Sequence, residues 1–521
     1  MQVRWRAVLI YTHRWLGIAG CVIFAVWFLS GIVMMYERMP RLSAEERLAR
    51  LAPVDLSAIR VEPAAAAAVA RVEPVRARIG RLADRPVYRF LAHGRWTTVF
   101  ADTGAPLEAL TADDALGVVR RFLPESSASL RYAAHLVRPD QWTLDGGLPR
   151  FLPLHQVALD DAAGTYVYVS DRTGEVVMKT TARGRRWGWL GAVLHWTYFT
   201  PFRLQPGLWR WSIIYAALIG CVMCLTGLIA GIWRFSPSAR YRIKRQPSHS
   251  PYAGLLWWHH YAGLLFGLFT FTWALSGALS LTPWDWAPST SPTPEQSEAA
   301  MGGPFELSRF SVDAIRTAAA SLAREVPFKE LELLQFRGDA VLLAYRPPDL
   351  AAALRVTNPD LRAFQSAELA IDHRLVRLTA PGRVFDRFTD DEMMQVASAA
   401  ADGAAVRDAV WLSDYDAYYY DRHGGSPLPV LRVRYDDELA TWLYLAPSAG
   451  AIVMKQERLS RVNRWVYNGL HSLDLPGLWN RRPLWDAIVI LLSLGGLAST
   501  LTPMAAAWHR CKRLLLGYWS S

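Results

Sequence analysis

The sequence predicts an α-helical membrane protein in which four transmembrane helices form a bundle and two α+β domains lie on one side of the membrane. Three observations support this fold class. The 521 residues are 52% hydrophobic and include 23 tryptophans, more than a soluble chain of this length usually carries. Four segments lack charge over the ~20 residues that a membrane-spanning helix needs. The two halves of the chain share one pattern, which predicts an internal two-fold repeat.

The charge-free segments begin or end with Trp or Tyr, which favour the membrane interface. They run from Trp15 to Tyr36, Trp211 to Trp233, Tyr261 to Trp284 and Ala487 to Trp508. The first segment has no small-residue cleavage site near its end, so we expect a retained anchor rather than a signal peptide.

These segments divide the chain into eight predicted regions. In chain order they are transmembrane helix 1 (10–36), an outer domain (37–186), an outer interfacial helix with transmembrane helix 2 (187–233), a cytoplasmic loop (234–256), transmembrane helix 3 (257–284), a second outer domain (285–464), an interfacial helix with transmembrane helix 4 (465–508) and a cytoplasmic tail (509–521). Stretches such as "TYVYVSDRTGEVVMK" alternate apolar and polar residues around a turn, which predicts β-hairpins in the outer domains.

The charges that flank the spans predict the orientation. Both termini and the short loop at 234–256 carry basic residues without an acidic one. The positive-inside rule therefore places the termini in the cytoplasm and the large domains in the periplasm of a bacterial inner membrane. The formal net charge of +11 includes no basic run mixed with aromatic residues, which argues against nucleic acid as a partner.

Histidines recur at matching positions in the two halves. "HRWLGIAGCVIFAVWFLSG" begins at His13, and "HHYAGLLFGLFTFTWALSG" begins at His259 with the same spacing to its glycines. His195 in "GAVLHW" and His471 in "YNGLHS" each precede the next span. The predicted topology puts His13 and His259 at cytoplasmic helix ends, and His195 and His471 at outer ends. His260 has no counterpart in the first half.

Two imidazoles from neighbouring helices supply the two axial ligands of a six-coordinate haem. The pairs therefore predict two b-type haems, an inner one bound by His13 and His259 and an outer one bound by His195 and His471. Adjacent helical residues point ~100° apart, so His259 and His260 cannot both reach one iron. Register favours His259, which leaves His260 as the alternative ligand or a second contact to the cofactor. A zinc site would need three or four converging ligands, which the separated pairs do not supply.

Other polar residues give weaker signals. The flanking arginines, which are Arg14, Arg186, Arg234 and Arg464, are expected near haem propionates or are ordinary interfacial charges. His155 in "RFLPLHQVAL" and His423 in "YYYDRHGGSPLP" are candidates for contact with a substrate. His93 and His135 are expected to be surface residues without a role.

The segments "HRWLGIAG", "WHHYAGLLFGLFTFTWALSGALSLTPW" and "TGEVVMK" resemble the PepSY-associated transmembrane family, over nearly the whole chain. The resemblance implies PepSY-like folds for both outer domains. Four-helix members include haem-containing inner-membrane ferric-siderophore reductases of the FoxB type. The resemblance therefore implies that electrons reach a ferric siderophore or another Fe(III) chelate in the periplasm, and that iron leaves as Fe(II). All five predicted site histidines match the family's histidines: His13, His195, His259, His260 and His471.

The leading prediction is a haem-dependent oxidoreductase embedded in membrane lipid. The sequence has no G-x-G-x-x-G fingerprint, so the electrons are expected from quinol or from a separate cytoplasmic donor. Two alternatives stay open. One is a quinol-oxidising b-type cytochrome with another periplasmic acceptor, and the other is a haem-free membrane scaffold whose PepSY-like domains bind an envelope protein.

Overall fold

The computed structural model describes residues 5–144, 147–355, 371–422 and 425–518, and for residues 506, 507 and 509–518 it describes the backbone alone. His423 therefore lies outside the described residues. The chain forms two compact units. The helical unit comprises Met1–Met39, Arg186–Pro288 and Arg461–Ser521. The sheet unit comprises Pro40–Arg185 and Ser289–Ser460, and therefore combines both long polar segments.

Four long helices make up most of the helical unit. They are α1 (Trp5–Met34), α8 (Pro206–Arg234), α9 (Leu255–Ser280) and α15 (Leu484–Tyr518). Each contains a stretch long and apolar enough to cross a membrane, so the prediction of a membrane protein with four spanning helices is confirmed. Both α1 and α9 contact α8 and α15, so the four helices form a ring in which α1 and α9 lie across the interior from each other.

The helices extend beyond the charge-free segments because charged interfacial residues continue them. In α1, for example, the guanidinium of Arg6 lies 4.6 Å from the ring centroid of Trp233. This cation–π contact lets a charge remain within the helix. At its C-terminal end, α9 stops at Ser280, before Trp284. Pro283 cannot continue the helix, and Thr282 has a positive φ. By contrast, α15 runs to Tyr518 through most of the predicted tail, of which residues 519–521 lie outside the described range.

A π-helical segment lies beside the histidine before the second and the fourth long helix. Trp189–Val193 ends two residues before His195, and Arg464–His471 ends at His471 itself. Such widened turns change the direction of side chains and are frequent at functional sites. The shorter helices around them are α5 (Ala182–Gly188), α6 (Leu194–Trp196), α7 (Thr200–Arg203) and α14 (Arg458–Asn463).

The sheet unit is built on a seven-stranded antiparallel sheet with the strand order β13-β12-β11-β10-β1-β2-β3. Strands β1 to β3 come from the first polar segment and β10 to β13 from the second. The central pair is β1 with β10, in which Ala77 lies opposite Leu333. The strands are β1 (Arg76–Leu82), β2 (Arg85–Ala92), β3 (Arg95–Phe100), β10 (Leu331–Phe336), β11 (Asp339–Tyr345), β12 (His373–Arg377) and β13 (Val384–Phe385). This pairing requires both polar segments to lie on the same side of the membrane, as an even number of spans between them demands.

Each polar segment also has its own four-stranded antiparallel sheet. The first is β4 (Leu130–Leu136), β5 (Leu154–Leu159), β6 (Tyr166–Ser170) and β7 (Val176–Thr180); the second is β14 (Val406–Leu412), β15 (Val430–Tyr435), β16 (Trp442–Ala446) and β17 (Ala451–Gln456). The hairpins predicted from alternating patterns correspond to β6–β7 and β16–β17. A small hairpin of β8 (Tyr241–Ile243) and β9 (Gln246–Ser248) lies in the loop between α8 and α9.

Helices pack against these sheets and against one another, which makes the unit α+β. They are α2 (Ala44–Arg50), α3 (Pro63–Val69), α4 (Ala112–Phe122), α10 (Pro294–Met301), α11 (Val312–Glu325), α12 (Leu350–Ala353) and α13 (Asp390–Ala399). For example, α11 buries Ile315, Ala318 and Leu322 in the same core as Ile79 of β1. Because that core takes side chains from both polar segments, the two segments stabilise each other.

A buried ion pair also joins the two polar segments. The Arg47 guanidinium in α2 donates hydrogen bonds to both carboxylate oxygens of Glu330, beside β10. Both side chains are 5% exposed. Burial alone would raise the pKa of Glu330, but the Arg47 charge and its hydrogen bonds outweigh burial and lower that pKa to about 2. A paired, hydrogen-bonded carboxylate of this kind stays charged inside the protein.

Candidate functional site

His13 and His259 face each other across the bundle. They lie near the N-terminal ends of α1 and α9, with ring centroids 5.9 Å apart and ring planes at 28°. Because α1 and α9 are opposite members of the ring of helices, the two imidazoles meet in its interior.

Both rings are oriented by a main-chain carbonyl of a neighbouring helix. His13 Nδ1 lies 2.9 Å from the Met223 carbonyl oxygen, and His259 Nδ1 lies 2.8 Å from that of Ser499. A carbonyl oxygen can only accept, so these bonds put the proton on Nδ1 and leave the Nε2 lone pair free. This is the tautomer in which a histidine binds a metal through Nε2.

His195 and His471 form a second pair with the same design. Their ring centroids are 6.2 Å apart, with the planes at 63°. His195 Nδ1 lies 3.1 Å from the Trp27 carbonyl oxygen in α1, and His471 Nδ1 lies 3.2 Å from the Trp273 carbonyl oxygen in α9. The hydroxyls of two serines lie beside the same nitrogens, at 3.3 Å for Ser30 and 3.1 Å for Ser276.

Glycines expose three of the four accepting carbonyls. A helical side chain leans toward the N-terminus, so the residue four positions later covers a given carbonyl. That residue is Gly227 after Met223, Gly31 after Trp27 and Gly277 after Trp273. A Cβ at Gly227 would lie 2.4 Å from His13 Cε1, and Cβ atoms at Gly31 and Gly277 would lie 3.3 Å and 3.5 Å from the Cε1 of His195 and His471. The glycines therefore let the imidazoles lie close against the helix backbone.

Proline has the corresponding position at the fourth carbonyl. Pro503 lies inside α15, four residues after Ser499. Because proline has no N–H, the Ser499 carbonyl lacks its usual helical donor. The Nδ1–H of His259 takes that place.

His260 has a different environment. It is 5% exposed, and its Nδ1 lies 2.7 Å from Ser250 Oγ while its Nε2 lies 2.9 Å from the Gly231 carbonyl oxygen. Both ring nitrogens therefore have protein partners, and the side chain ties the loop between α8 and α9 to the end of α8. The geometry leaves the Nε2 of His259, rather than that of His260, available as a ligand, and the His259 ring centroid lies 5.9 Å from that of His13.

The spacing of each pair fits a haem iron between the two rings. Two axial Fe–N bonds of about 2.0–2.1 Å put the imidazole centroids roughly 6.3 Å apart. The measured separations are 5.9 Å and 6.2 Å. One turn after each inner histidine stands a glycine, Gly17 or Gly263, where a Cβ would meet no heavy atom within 4 Å. A flat ligand can therefore approach the backbone there. Within the described residues, neither pair has the third ligand that a zinc site needs.

Aromatic side chains fill the bundle between the pairs. Phe24, Phe28 and Trp273 contact one another in sequence, with centroid distances of 6.4 Å and 6.0 Å. His195 contacts α1 between Trp27 and Gly31, which lie 14 and 18 residues after His13. At 1.5 Å per residue the two pairs are about 20–27 Å apart along the helix axis.

The predicted propionate partners have mixed environments. Arg234 lies with its guanidinium 5.0 Å from the Trp233 ring, and its buried Nε has no hydrogen-bond partner among the described residues. Arg464 instead donates from Nη2 to the Asp474 carbonyl oxygen at 2.7 Å, and Arg14 lies 5.4 Å from the Tyr11 ring. The Nε of Arg234 is therefore a donor available to an anionic group.

The helix bundle and the sheet unit define a membrane protein with a large extramembranous α+β part. A family model described as the PepSY-associated TM region matches residues 10–304, and the chain belongs to that family. The match covers α1, α8 and α9, and includes His13, His195, His259 and His260. No curated protein matches the chain significantly in sequence.

Several residues that orient the histidines were not predicted from the sequence. The two halves share a W-x-x-S-G motif, Trp27 to Gly31 and Trp273 to Gly277, which supplies the carbonyl, the hydroxyl and the glycine beside each outer histidine. Of this motif, the comparison of the two halves of the sequence uses only the glycines, as markers of equal spacing. The structure also matches Trp209 with Trp485, whose indole N–H groups donate to the Trp196 and Ser472 carbonyls at 3.0 Å and 3.2 Å.

Proposed function

We propose that this protein is a dihaem reductase of the bacterial inner membrane, which passes electrons across the membrane to a ferric siderophore in the periplasm and so releases Fe(II). The two histidine pairs carry the proposal, because the ring centroids of each pair lie at about the spacing that two axial imidazole ligands require. His13 with His259 would bind the inner haem, and His195 with His471 the outer one. Haem bound at these sites supplies reversible one-electron transfer.

The chain's own residues have three tasks in this function. The carbonyls of Met223, Ser499, Trp27 and Trp273 fix the tautomer and orientation of the imidazoles and raise their basicity. The aromatic interior keeps water and ions out of the space between the pairs. The separation of about 20–27 Å between the pairs along the helices is comparable to the ~30 Å thickness of a hydrocarbon core, so the two haems would lie toward its two sides.

The resemblance to ferric-siderophore reductases suggests the acceptor, and iron chemistry supports it. A siderophore holds Fe(III) through hard oxygen ligands, which bind Fe(II) more weakly. One electron per iron converts the bound Fe(III) to Fe(II), and the chelator is left unchanged. The electron comes from quinol or from a separate cytoplasmic donor, since the sequence has no dinucleotide fingerprint. The basic loop between α8 and α9 supports a cytoplasmic location for that loop and for both termini.

The first test is a visible spectrum of the purified full-length protein before and after dithionite, with haem quantified per chain. We expect low-spin bands and two haems. His13→Ala and His195→Ala should each lose one haem, and the exposed His93→Asn should retain both. A colourless protein would support the haem-free scaffold and refute the proposal.

The second test addresses the acceptor. The protein in proteoliposomes, reduced through a quinol, is offered ferric hydroxamate and ferric catecholate chelates, and Fe(II) is trapped by a colorimetric chelator. We expect Fe(II) formation that depends on His195. A dihaem protein that leaves every ferric chelate oxidised would instead be a quinol-oxidising cytochrome with another acceptor.

A further inference from the structure

A second group of metal-ligand side chains lies in the sheet unit, on the four-stranded sheet of the first polar segment. His135 on β4 and His155 on β5 are directly opposite each other in the antiparallel pair, and their rings stack with centroids 4.6 Å apart. Asp171 follows β6, two residues after Val169, which is the partner of His155 in that ladder. Alternate residues of a strand share a face, so three neighbouring strands bring these side chains to one face of the sheet.

The N···O distances between the three side chains exceed those of ordinary, well-formed hydrogen bonds. His135 Nε2 lies 3.4 Å from Asp171 Oδ2, and His155 Nε2 lies 3.6 Å from Oδ1. Hydrogen bonds between these atom types have N···O distances of 2.7–3.2 Å. Ligands bound at about 2.0–2.1 Å in tetrahedral geometry are roughly 3.4 Å apart. The three potential ligand atoms all lie within 4.8 Å of one another.

His155 adds an independent observation. Its side chain is 4% exposed, and its buried Nε2 has no hydrogen-bond partner among the residues that the structure describes. A buried polar atom without a partner costs free energy, so such atoms usually have a ligand or a function. Here Nε2 faces Asp171 and the His135 ring.

Hydrogen bonds outside the cluster orient two of the three side chains. Tyr132 Oη lies 3.0 Å from His155 Nδ1, so the phenol oxygen can accept the Nδ1 proton and leave Nε2 as a ligand. The Leu110 N–H donates to Asp171 Oδ1 at 2.6 Å, which leaves Oδ2 for a cation. His135 is 42% exposed, so an ion can enter from solvent.

We infer that His135, His155 and Asp171 bind a divalent first-row transition metal ion, separately from the histidine pairs of the helical unit. Two imidazoles and one carboxylate suit Zn(II), Fe(II) and their neighbours rather than Mg(II) or Ca(II), which prefer oxygen ligands. Three protein ligands leave at least one coordination position for water or an external ligand. The site does not depend on the proposed reductase activity, although Fe(II), the product of that activity, belongs to the class of ions it would accept.

The test is a calorimetric titration of the full-length protein with Zn²⁺, after a chelator has removed loosely bound metal. We expect one ion bound per chain with two nitrogen ligands from histidine in the zinc X-ray absorption spectrum. His135→Ala and Asp171→Asn should each weaken binding at least about tenfold, because each removes one of three ligands. His93→Asn, an exposed histidine elsewhere in the sheet unit, is the matched control and should bind as the wild type does.

The exposure of His135 makes its variant safe for folding, and circular dichroism of the β-sheet signal verifies this. Tyr132→Phe gives a graded result: the ligands stay, but the orientation of His155 is lost, so affinity should fall less than in His135→Ala. The inference is overturned if the wild type binds no stoichiometric Zn²⁺, or if His135→Ala and Asp171→Asn bind it as tightly as the wild type.

Discussion

Replacing Gly227 by alanine should remove the proposed inner haem and leave the proposed outer one. The new Cβ would lie 2.4 Å from His13 Cε1, whereas ordinary carbon contacts are about 3.5–4.0 Å. The imidazole would therefore have to move by about 1 Å or more. An axial Fe–N bond of about 2.0 Å does not survive such a shift, and the same movement breaks the bond from His13 Nδ1 to the Met223 carbonyl.

The three glycines beside the histidines form a graded series for this reasoning. Gly31→Ala brings a Cβ to 3.3 Å from His195 Cε1, so a shift of a few tenths of an ångström should weaken the outer haem without removing it. At Gly277 the corresponding distance is 3.5 Å, an ordinary contact, and alanine should be tolerated.

The assay is haem per chain by pyridine haemochrome, together with the low-spin spectrum. Gly207→Ala is the matched control, because it lies in the same helix as Gly227 and a Cβ there meets nothing within 4 Å. Retention of the outer haem in Gly227→Ala shows that the bundle has folded. Two unperturbed low-spin haems in that variant would refute the steric argument and the assignment of His13 as a ligand.

Three further predictions concern the carbonyl acceptors, the neighbouring histidine and the buried ion pair. Pro503→Ala restores an N–H that competes for the Ser499 carbonyl, so we expect haem affinity at the inner pair to fall by about 10–100-fold, measured by haem dissociation to apomyoglobin. His260→Ala should keep two haems but lower the Tm, because it leaves Ser250 and Gly231 without their partner, whereas His259→Ala should lose the inner haem; equal haem loss in both would contradict the assignment of roles. Glu330→Gln leaves the Arg47 charge buried without its partner and should destabilise the sheet unit by about 3–5 kcal/mol in urea unfolding, against less than about 1 kcal/mol for Asp84→Asn in an exposed pair. Because the folded-state pKa of Glu330, about 2, is below its ordinary value of 4.5, this pair stabilises the fold above pH 4.5, and its contribution should disappear as the pH falls toward 2 in the wild type. Glu330→Gln lacks this contribution, so the free energy of unfolding of that variant should not show this part of the pH dependence.

The features that the sequence predicts well are those with a local signal. Hydropathy identifies the four long helices, because each must satisfy its own backbone within a membrane. The equal spacing from His13 to Gly31 and from His259 to Gly277 identifies which histidines correspond. The number of spans between the matched histidines then predicts which rings lie on the same side of the membrane, without knowledge of any contact.

Features that depend on distant parts of the chain were not predictable in this way. The hydrogen bonds of β1 with β10 join two segments that lie far apart in sequence, and both strands have the same alternating pattern as any other. Every residue has a main-chain carbonyl, so the sequence does not mark which ones accept hydrogen bonds from the histidines. The roles of Met223 and Ser499 can be recognised only from the packing of the helices. His135 had no apparent role because its partners, His155 and Asp171, come from two later strands.

The pairing of β1 with β10 also sets an order for biogenesis. While the chain is being synthesised, β1 and β2 are complete long before β10 emerges, and α8 and α9 must cross the membrane in between. Throughout that interval β1 has an unpaired edge, which is a site for non-native association. The central sheet can therefore close only after the third span has been inserted in the correct direction, so a topology error in α8 or α9 leaves the polar part of the protein unfinished. Quality control that senses open strand edges would then detect faults that originate inside the membrane.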